Sequence, residues 1–182
     1  MNLKEQMLDL PQMTETQFTE RFGGLYERSP WVAESVWSNV NTNQKIDCEA
    51  LATELKSTVD ASTDEQKMTL LRAHPELVGK AAVQGELTPE STDEQSRARL
   101  DQCSEEEYEK FQTLNSAYNE KFGFPFIMAV RNSNREEILA AFESRLNNPV
   151  EDEFNTALKQ VHQIALLRLE AAVTPASDNK TD

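Results

Sequence analysis

Apolar positions recur along the chain with the three-to-four-residue spacing of amphipathic helices, and capping patterns separate one stretch from the next. Thr14 and Gln17 form a capping-box pattern, with Met13 placed to staple onto Phe18. Ser29-Pro30 reads as a cap followed by proline at the first helical position, ahead of Trp31, Val32, Val36 and Trp37. Asp47 opens a helix whose inner face carries Leu51, Leu55 and Val59, and Thr63 with Gln66 opens another. The latter must end near His74, because Pro75 disfavours helical geometry in the residue before it. Ser91 with Glu94, Ser104 with Glu107 and Asn134 with Glu137 supply three further boxes. The second starts a stripe of Phe111, Leu114, Tyr118 and Phe122, stopped by Gly123, and the third a stripe of Ile138, Phe142 and Leu146. A last helix starts around Glu151 and presents Phe154, Leu158, Val161, Ala165 and Leu169.

This pattern predicts an all-α fold: one compact multi-helix domain over residues 1–173, followed by a flexible C-terminal tail over residues 174–182 rich in Ser, Asp, Asn and Lys. No internal repeat or linker divides the chain. One stretch breaks the helical pattern. Gly123-Phe124-Pro125-Phe126-Ile127-Met128-Ala129-Val130 is apolar, contains proline and carries no stripe, so it predicts an extended loop. Its backbone N–H groups have no helical partners and must bond elsewhere. It is either a buried connector or a strip of amides lining a ligand pocket.

Composition narrows the function classes. The 182 residues are 38% hydrophobic and 27% charged, ordinary for a globular protein and enough for one full core. A net charge of −14 repels nucleic acid and anionic membranes, so a site for an anion must supply its own positive charge. Cys48 and Cys103 are too few and too far apart in sequence for a disulfide framework or a zinc site. The segment Met1 to Asp9 lacks a basic-then-apolar leader pattern, no apolar run is long enough to cross a membrane, and Lys180-Thr181-Asp182 is not a peroxisomal address. The expected location is cytoplasmic.

Four residues stand out as candidates for chemistry. His74, one of two histidines, titrates near neutral pH and suits general acid–base work; its place at a helix C-terminus favours the protonated form. It has a structural reading too, and His162, flanking the last apolar stripe, reads as packing. Glu94 and its neighbour Gln95 fall in a helix start, where a capping role for Ser91 and Glu94 suffices but the helix dipole also favours an anion or a ligand. Arg168 falls inside the apolar stripe of the last helix, where a guanidinium needs a partner. It reads as a structural salt bridge to a carboxylate or carbonyl, as an arginine snorkelling to the surface, or as a fork that binds a substrate carboxylate. No glycine-rich phosphate loop, nucleophile elbow or metal-ligand cluster is present, so no cofactor is expected.

Taken together, His74-Pro75-Glu76-Leu77, Gly85-Glu86-Leu87-Thr88, Ser91-x-x-Glu94-Gln95, Leu114-Asn115-x-x-Tyr118, Phe122-Gly123-Phe124-Pro125-Phe126 and Leu167-Arg168-Leu169 resemble the OHCU decarboxylase family over about residues 14 to 172. The resemblance implies an all-helical, cofactor-independent homodimer that converts 2-oxo-4-hydroxy-4-carboxy-5-ureidoimidazoline to (S)-allantoin in urate catabolism, coupled in function to hydroxyisourate hydrolase. It implies that His74 and Glu94 are catalytic. It also implies that Pro75, Ser91, Gln95, Arg168 and the loop Phe126, Ile127, Met128, Ala129 and Val130 bind a small anionic substrate. Glu76 stands where the family often has aspartate. Two competing readings are a decarboxylase of a related ureido acid and a non-enzymatic helical interaction module anchored by Trp31 and Trp37.

Overall fold

The computed structural model describes residues 6–40 and 42–174; the tail expected beyond Thr174 lies outside the described residues. A two-residue strand β1 (Met7–Leu8) precedes α1 (Glu15–Phe22) and α2 (Trp31–Asn39). Strand β2 (Ile46–Asp47) then leads into α3 (Cys48–Asp60), α4 (Asp64–Ala73), α5 (Lys80–Gln84), α6 (Pro89–Arg97), α7 (Glu105–Phe122), α8 (Arg135–Arg145) and α9 (Val150–Val173). β1 and β2 pair antiparallel, Met7 opposite Asp47 and Leu8 opposite Ile46. The architecture is all-α, this short pair being the one departure from helix and loop among the described residues.

Capping chemistry sets most helix starts. α1, α4, α7 and α8 each carry the complete reciprocal box, and Asp47 caps α3 by accepting from the Ala50 N–H at 2.7 Å. Two starts differ from the sequence reading. Ser29 does not cap α2; its hydroxyl donates to the Glu27 carbonyl at 2.9 Å, and Pro30 occupies the cap position. α6 begins earlier than Ser91, with Thr88 as cap and Pro89 in the first turn. The short α5, which buries none of its residues, has no apolar stripe that periodicity could detect.

α9 is the central element and packs against α1, α3, α4 and α7. Its buried face includes Ala157, Leu158, Val161, Ile164, Ala165 and Leu169, and also Arg168. Beside it an aromatic cluster gathers Tyr118, Phe122, Phe124, Phe126 and Phe142, with Phe126 stacked on Phe142 at 3.9 Å. No helix among the described residues is long and apolar enough to cross a membrane.

The extended loop is held by a buried polar network. Glu153 is fully buried in the first turn of α9 and accepts from Arg145 Nε at 2.7 Å, Asn148 Nδ2 at 2.7 Å and the Tyr118 hydroxyl. Arg145 in turn donates to the Ile127 carbonyl at 2.7 Å and lies over the Phe126 ring at 4.4 Å. The Ala129 N–H donates to Gln160 Oε1 at 2.9 Å. Breaking this network strands a buried guanidinium. Glu153→Ala is therefore expected to lower unfolding stability by roughly 3–5 kcal/mol, read as a drop in the urea midpoint, whereas a loss under about 1 kcal/mol would contradict this role.

Candidate active site

His74 is the C-cap of α4, turned out of the helix to φ −70° and ψ 138° by the following proline. Its side chain is buried, with Nδ1 3.0 Å from the Leu70 carbonyl oxygen. A carbonyl only accepts, so Nδ1 carries the proton and Nε2 of the neutral ring keeps its lone pair. Burial pushes the imidazole pKa down to about 4, against the opposing pull of the Leu70 hydrogen bond and the Glu27 charge and with a further push from Arg168. The expectation that the helix terminus would hold the ring protonated is corrected: desolvation outweighs the dipole, and His74 is a neutral base at neutral pH.

Arg168 projects from α9 into a cage of acceptors. Its Nε and Nη2 grip Glu94 with two bonds of 2.8 and 2.9 Å, and Nη2 also lies 2.9 Å from Glu27 Oε2 and 3.3 Å from Ser91 Oγ. Nη1 donates to the Gly24 carbonyl at 3.1 Å. Burial alone would weaken the charged form, but the hydrogen bond and charge of Glu94, followed by those of Glu27, hold the guanidinium protonated. Of the alternatives the sequence left open, a protein carboxylate is thus present; there are in fact two.

The position of α6 follows from its cap. Because Thr88 and Pro89 open the helix, Ser91 accepts no capping bond with its side chain; its backbone N–H instead donates to Thr88 Oγ1 at 3.3 Å. Ser91 and Glu94 are thereby one helical turn inside, free to face Arg168. Gln95, on the same face, spends its amide on the loop after His74. Its Oε1 accepts from the Val78 N–H at 3.1 Å and its Nε2 donates to the Glu76 carbonyl at 3.4 Å. Three α7 side chains grip the same loop: Gln112 donates to the Val78 carbonyl at 2.7 Å, Asn115 to the Leu77 carbonyl at 3.0 Å and Asn119 to Glu76 Oε1 at 2.6 Å. This clamp keeps Val78, a β-branched residue, at φ +55°, a conformation that costs on the order of 1–3 kcal/mol where nothing enforces it. Gly79 completes the turn, since a Cβ there would sit 2.6 Å from Glu76 Cβ.

His74, Pro75, Leu77, Ser91, Glu94, Gln95, Phe126, Ile127, Met128, Val130, Ile164 and Arg168 line one cleft of about 350 Å3, its open mouth included. Polar groups from α4, α6 and α9 and apolar side chains of the extended loop share its lining. Among the described residues the backbone N–H groups of Ile127 and Met128 meet no protein acceptor. Ala129 does not line the cleft, and its amide is taken by Gln160. Sequence reasoning missed Glu27, which lies in the loop between α1 and α2, outside any stripe on which a misplaced charge would show. It also missed Gln112 and Asn119, which read as ordinary polar helix positions.

A roomier cleft of about 840 Å3, its open mouth included, lies between α3 and α9. There His162 Nδ1 is 2.9 Å from the Tyr26 hydroxyl and Nε2 is 3.0 Å from Asp60 Oδ1, so both ring nitrogens are engaged. The smaller cleft is the one where a base, a carboxylate, a guanidinium and an apolar wall converge. No group of three or more His, Cys, Asp and Glu side chains placed to hold a metal ion occurs among the described residues.

A family model described as OHCU decarboxylase matches residues 11–170. The chain is 42% identical over 167 residues to the 2-oxo-4-hydroxy-4-carboxy-5-ureidoimidazoline decarboxylase of Halalkalicoccus jeotgali, covering 92% of this chain and 91% of that one. It is 31% identical over 170 residues to the uric acid degradation bifunctional protein of Bacillus sp. strain TB-90, covering 93% of this chain but 32% of that protein. Among solved structures it is similar to the crystal structure of (S)-allantoin synthase, with a TM-score of 0.72 and 34% identity over 91% of this chain and 53% of that chain.

The buried neutral imidazole makes stability depend on pH. The pKa of His74 is lower folded than unfolded, so between about pH 6.5 and 4 the unfolded chain binds the extra proton and stability falls as pH falls. Urea unfolding at about pH 7 and about pH 5 should show a His74-linked loss on the order of 2 kcal/mol that is missing in His74→Asn. Equal pH dependence in the two proteins would contradict the buried neutral ring.

Proposed function

The chain belongs to the OHCU decarboxylase family, and we propose that it converts 2-oxo-4-hydroxy-4-carboxy-5-ureidoimidazoline to (S)-allantoin and CO2 in urate degradation, in the cleft between His74 and Arg168. The observation that carries this reading is a neutral imidazole, with its proton fixed on Nδ1, sharing an apolar-walled cleft with an Arg-bound carboxylate.

The reaction breaks the bond between the ring carbon and the carboxylate. The electron pair moves into the adjacent imine of the substrate's own ring, so the substrate supplies the sink. The hydroxyl on the same ring carbon then loses its proton as a carbonyl forms, and one proton is added to the neighbouring carbon. Charge balances with one proton taken up from solvent: the carboxylate leaves as neutral CO2, the ring nitrogen that receives the electron pair takes that solvent proton, and the proton taken from oxygen is returned to carbon. His74 Nε2 is the base for the hydroxyl proton, and Glu94 orients the reacting ring. Arg168, Ser91, the Gln95 N–H not used on the Glu76 carbonyl, and the Ile127 and Met128 amides hold the anionic substrate in one pose. The apolar wall of Phe126, Ile127, Met128, Val130 and Ile164 disfavours a carboxylate relative to neutral CO2. Proton delivery on the His74 side of a fixed ring accounts for a single product hand.

Homodimerisation and coupling to hydroxyisourate hydrolase belong to the same family reading, and a cytoplasmic location to the sequence reading. Similarity to a longer bifunctional protein named for uric acid degradation supports the coupling.

The direct test forms the substrate in place from urate with urate oxidase and hydroxyisourate hydrolase and follows allantoin by circular dichroism. The protein should accelerate the reaction and build up a signal of one sign, and folded His74→Asn should lose roughly 10²–10⁴-fold in kcat. Racemic product at the uncatalysed rate in the presence of folded protein would sink the proposal.

A further inference from the structure

Two carboxylates flank the guanidinium of Arg168, and their surroundings differ. Glu94 lines the cleft and keeps 15% of its side chain exposed, its carboxylate bound among the described residues by Arg168 alone. Glu27 is 1% exposed and does not line the cleft. Its Oε1 accepts from Thr88 Oγ1 at 2.9 Å, and its Oε2 from Ser91 Oγ at 3.0 Å while lying 2.9 Å from Arg168 Nη2. The backbone around it is pinned as well, since its carbonyl accepts from Ser29 Oγ. One carboxylate is therefore held by three side chains and sealed from solvent, and the other is held by one and open to the cleft.

This asymmetry has a consequence for substrate binding. In the unliganded site Nε and Nη2 of Arg168 donate to protein acceptors and Nη1 is engaged by the Gly24 carbonyl. Among the described residues one N–H of Nη1 is left over, but an incoming carboxylate reaches the paired Nε and Nη2 donors only by loosening the Glu94 bonds. If Glu94 were the sole counterion, that exchange would leave a buried cation briefly unpaired, a costly state. With Glu27 behind it, Arg168 keeps one counterion and its orientation throughout.

We propose that Glu27 is a positioning residue, the permanent counterion that anchors Arg168 from the sealed side so that Glu94 can exchange its Arg168 bonds for the substrate. The inference rests on the decarboxylase reading above. The cluster of Glu27, Arg168 and Glu94 carries one net negative charge, so Glu27 also opposes binding of an anion while making turnover possible. Its loss should separate kcat from KM: with Arg168 left to Glu94 alone, the pair locks together and the cleft becomes less negative.

The test compares wild type, Glu27→Gln and Glu27→Asp in the coupled allantoin assay, per folded molecule, across pH. Wild-type activity must be present first; its absence speaks against the decarboxylase reading and not against the anchor. Glu27→Gln should lower kcat by about 100-fold with KM unchanged or reduced, because catalysis is sensitive to small misplacements. The acid limb of kcat/KM should also move to lower pH, since a negative charge near His74 is gone. Glu27→Asp keeps the charge, so it should keep the acid limb in place and recover at least half of the loss on a logarithmic scale. A rise in KM with kcat intact would overturn the proposal, as would wild-type kcat in Glu27→Gln. If Glu27→Gln does not fold, Glu27→Asp decides alone: kcat reduced several-fold at constant KM supports the anchor, and wild-type constants overturn it.

Discussion

A buried guanidinium must be answered by acceptors, and the site is organised around meeting that requirement for Arg168. It projects from the apolar face of the longest helix, where a lone positive charge would be prohibitively costly. Meeting it draws three separate parts of the chain to one point: Glu94 and Ser91 from α6, Glu27 and the Gly24 carbonyl from the loop between α1 and α2, and α9 itself. The same electrostatics solve the problem posed by a chain of net charge −14 that handles an anion. One cation is kept in a low-dielectric cleft, where it acts more strongly than a surface lysine would.

Around this cluster the fold supplies rigidity in two ways. The loop after His74 is strained at Val78, and side-chain amides from α6 and α7 hold it there. Those amides make the position of His74 a property of two helices and not of a mobile turn. The loop wall is extended backbone that cannot satisfy itself, and Arg145 and Gln160 take up its carbonyl at Ile127 and its amide at Ala129. The amides left uncommitted in that loop include those of Ile127 and Met128, and with the apolar surface beside them they suit a wall that binds a polar ring while excluding water.

Much of this was legible in the sequence, for identifiable reasons. Helix starts were readable because Thr14, Asp47, Thr63, Ser104 and Asn134 cap by strictly local hydrogen bonds. Arg168 was readable because it interrupts an apolar stripe, and the loop after Gly123 because proline and missing periodicity mark it. Ser91 and Glu94 imitate a capping box, yet Thr88 with Pro89 forms the better start, a competition that two overlapping local patterns leave undecided. Glu27 was invisible, because a charge in a loop carries no periodicity and its burial is created by α6 and α9 arriving from distant sequence. The protonation state of His74 was misjudged for the same reason: the helix terminus is local, whereas the desolvation that outweighs it comes from tertiary packing. Local chemistry was legible; convergence was legible mainly through the family motifs.

On the proposed function, a substrate anion meets Arg168 and His74 in the cleft beside the extended loop. A crystal structure of the chain with (S)-allantoin bound tests it most directly. The product's ring should lie between His74 and the Phe126–Val130 wall, with Glu27 unmoved against Arg168 and at least one bond between Glu94 and Arg168 lengthened or replaced. Allantoin seated instead in the roomier cleft between α3 and α9, or in the smaller cleft but out of reach of both His74 and Arg168, would contradict it.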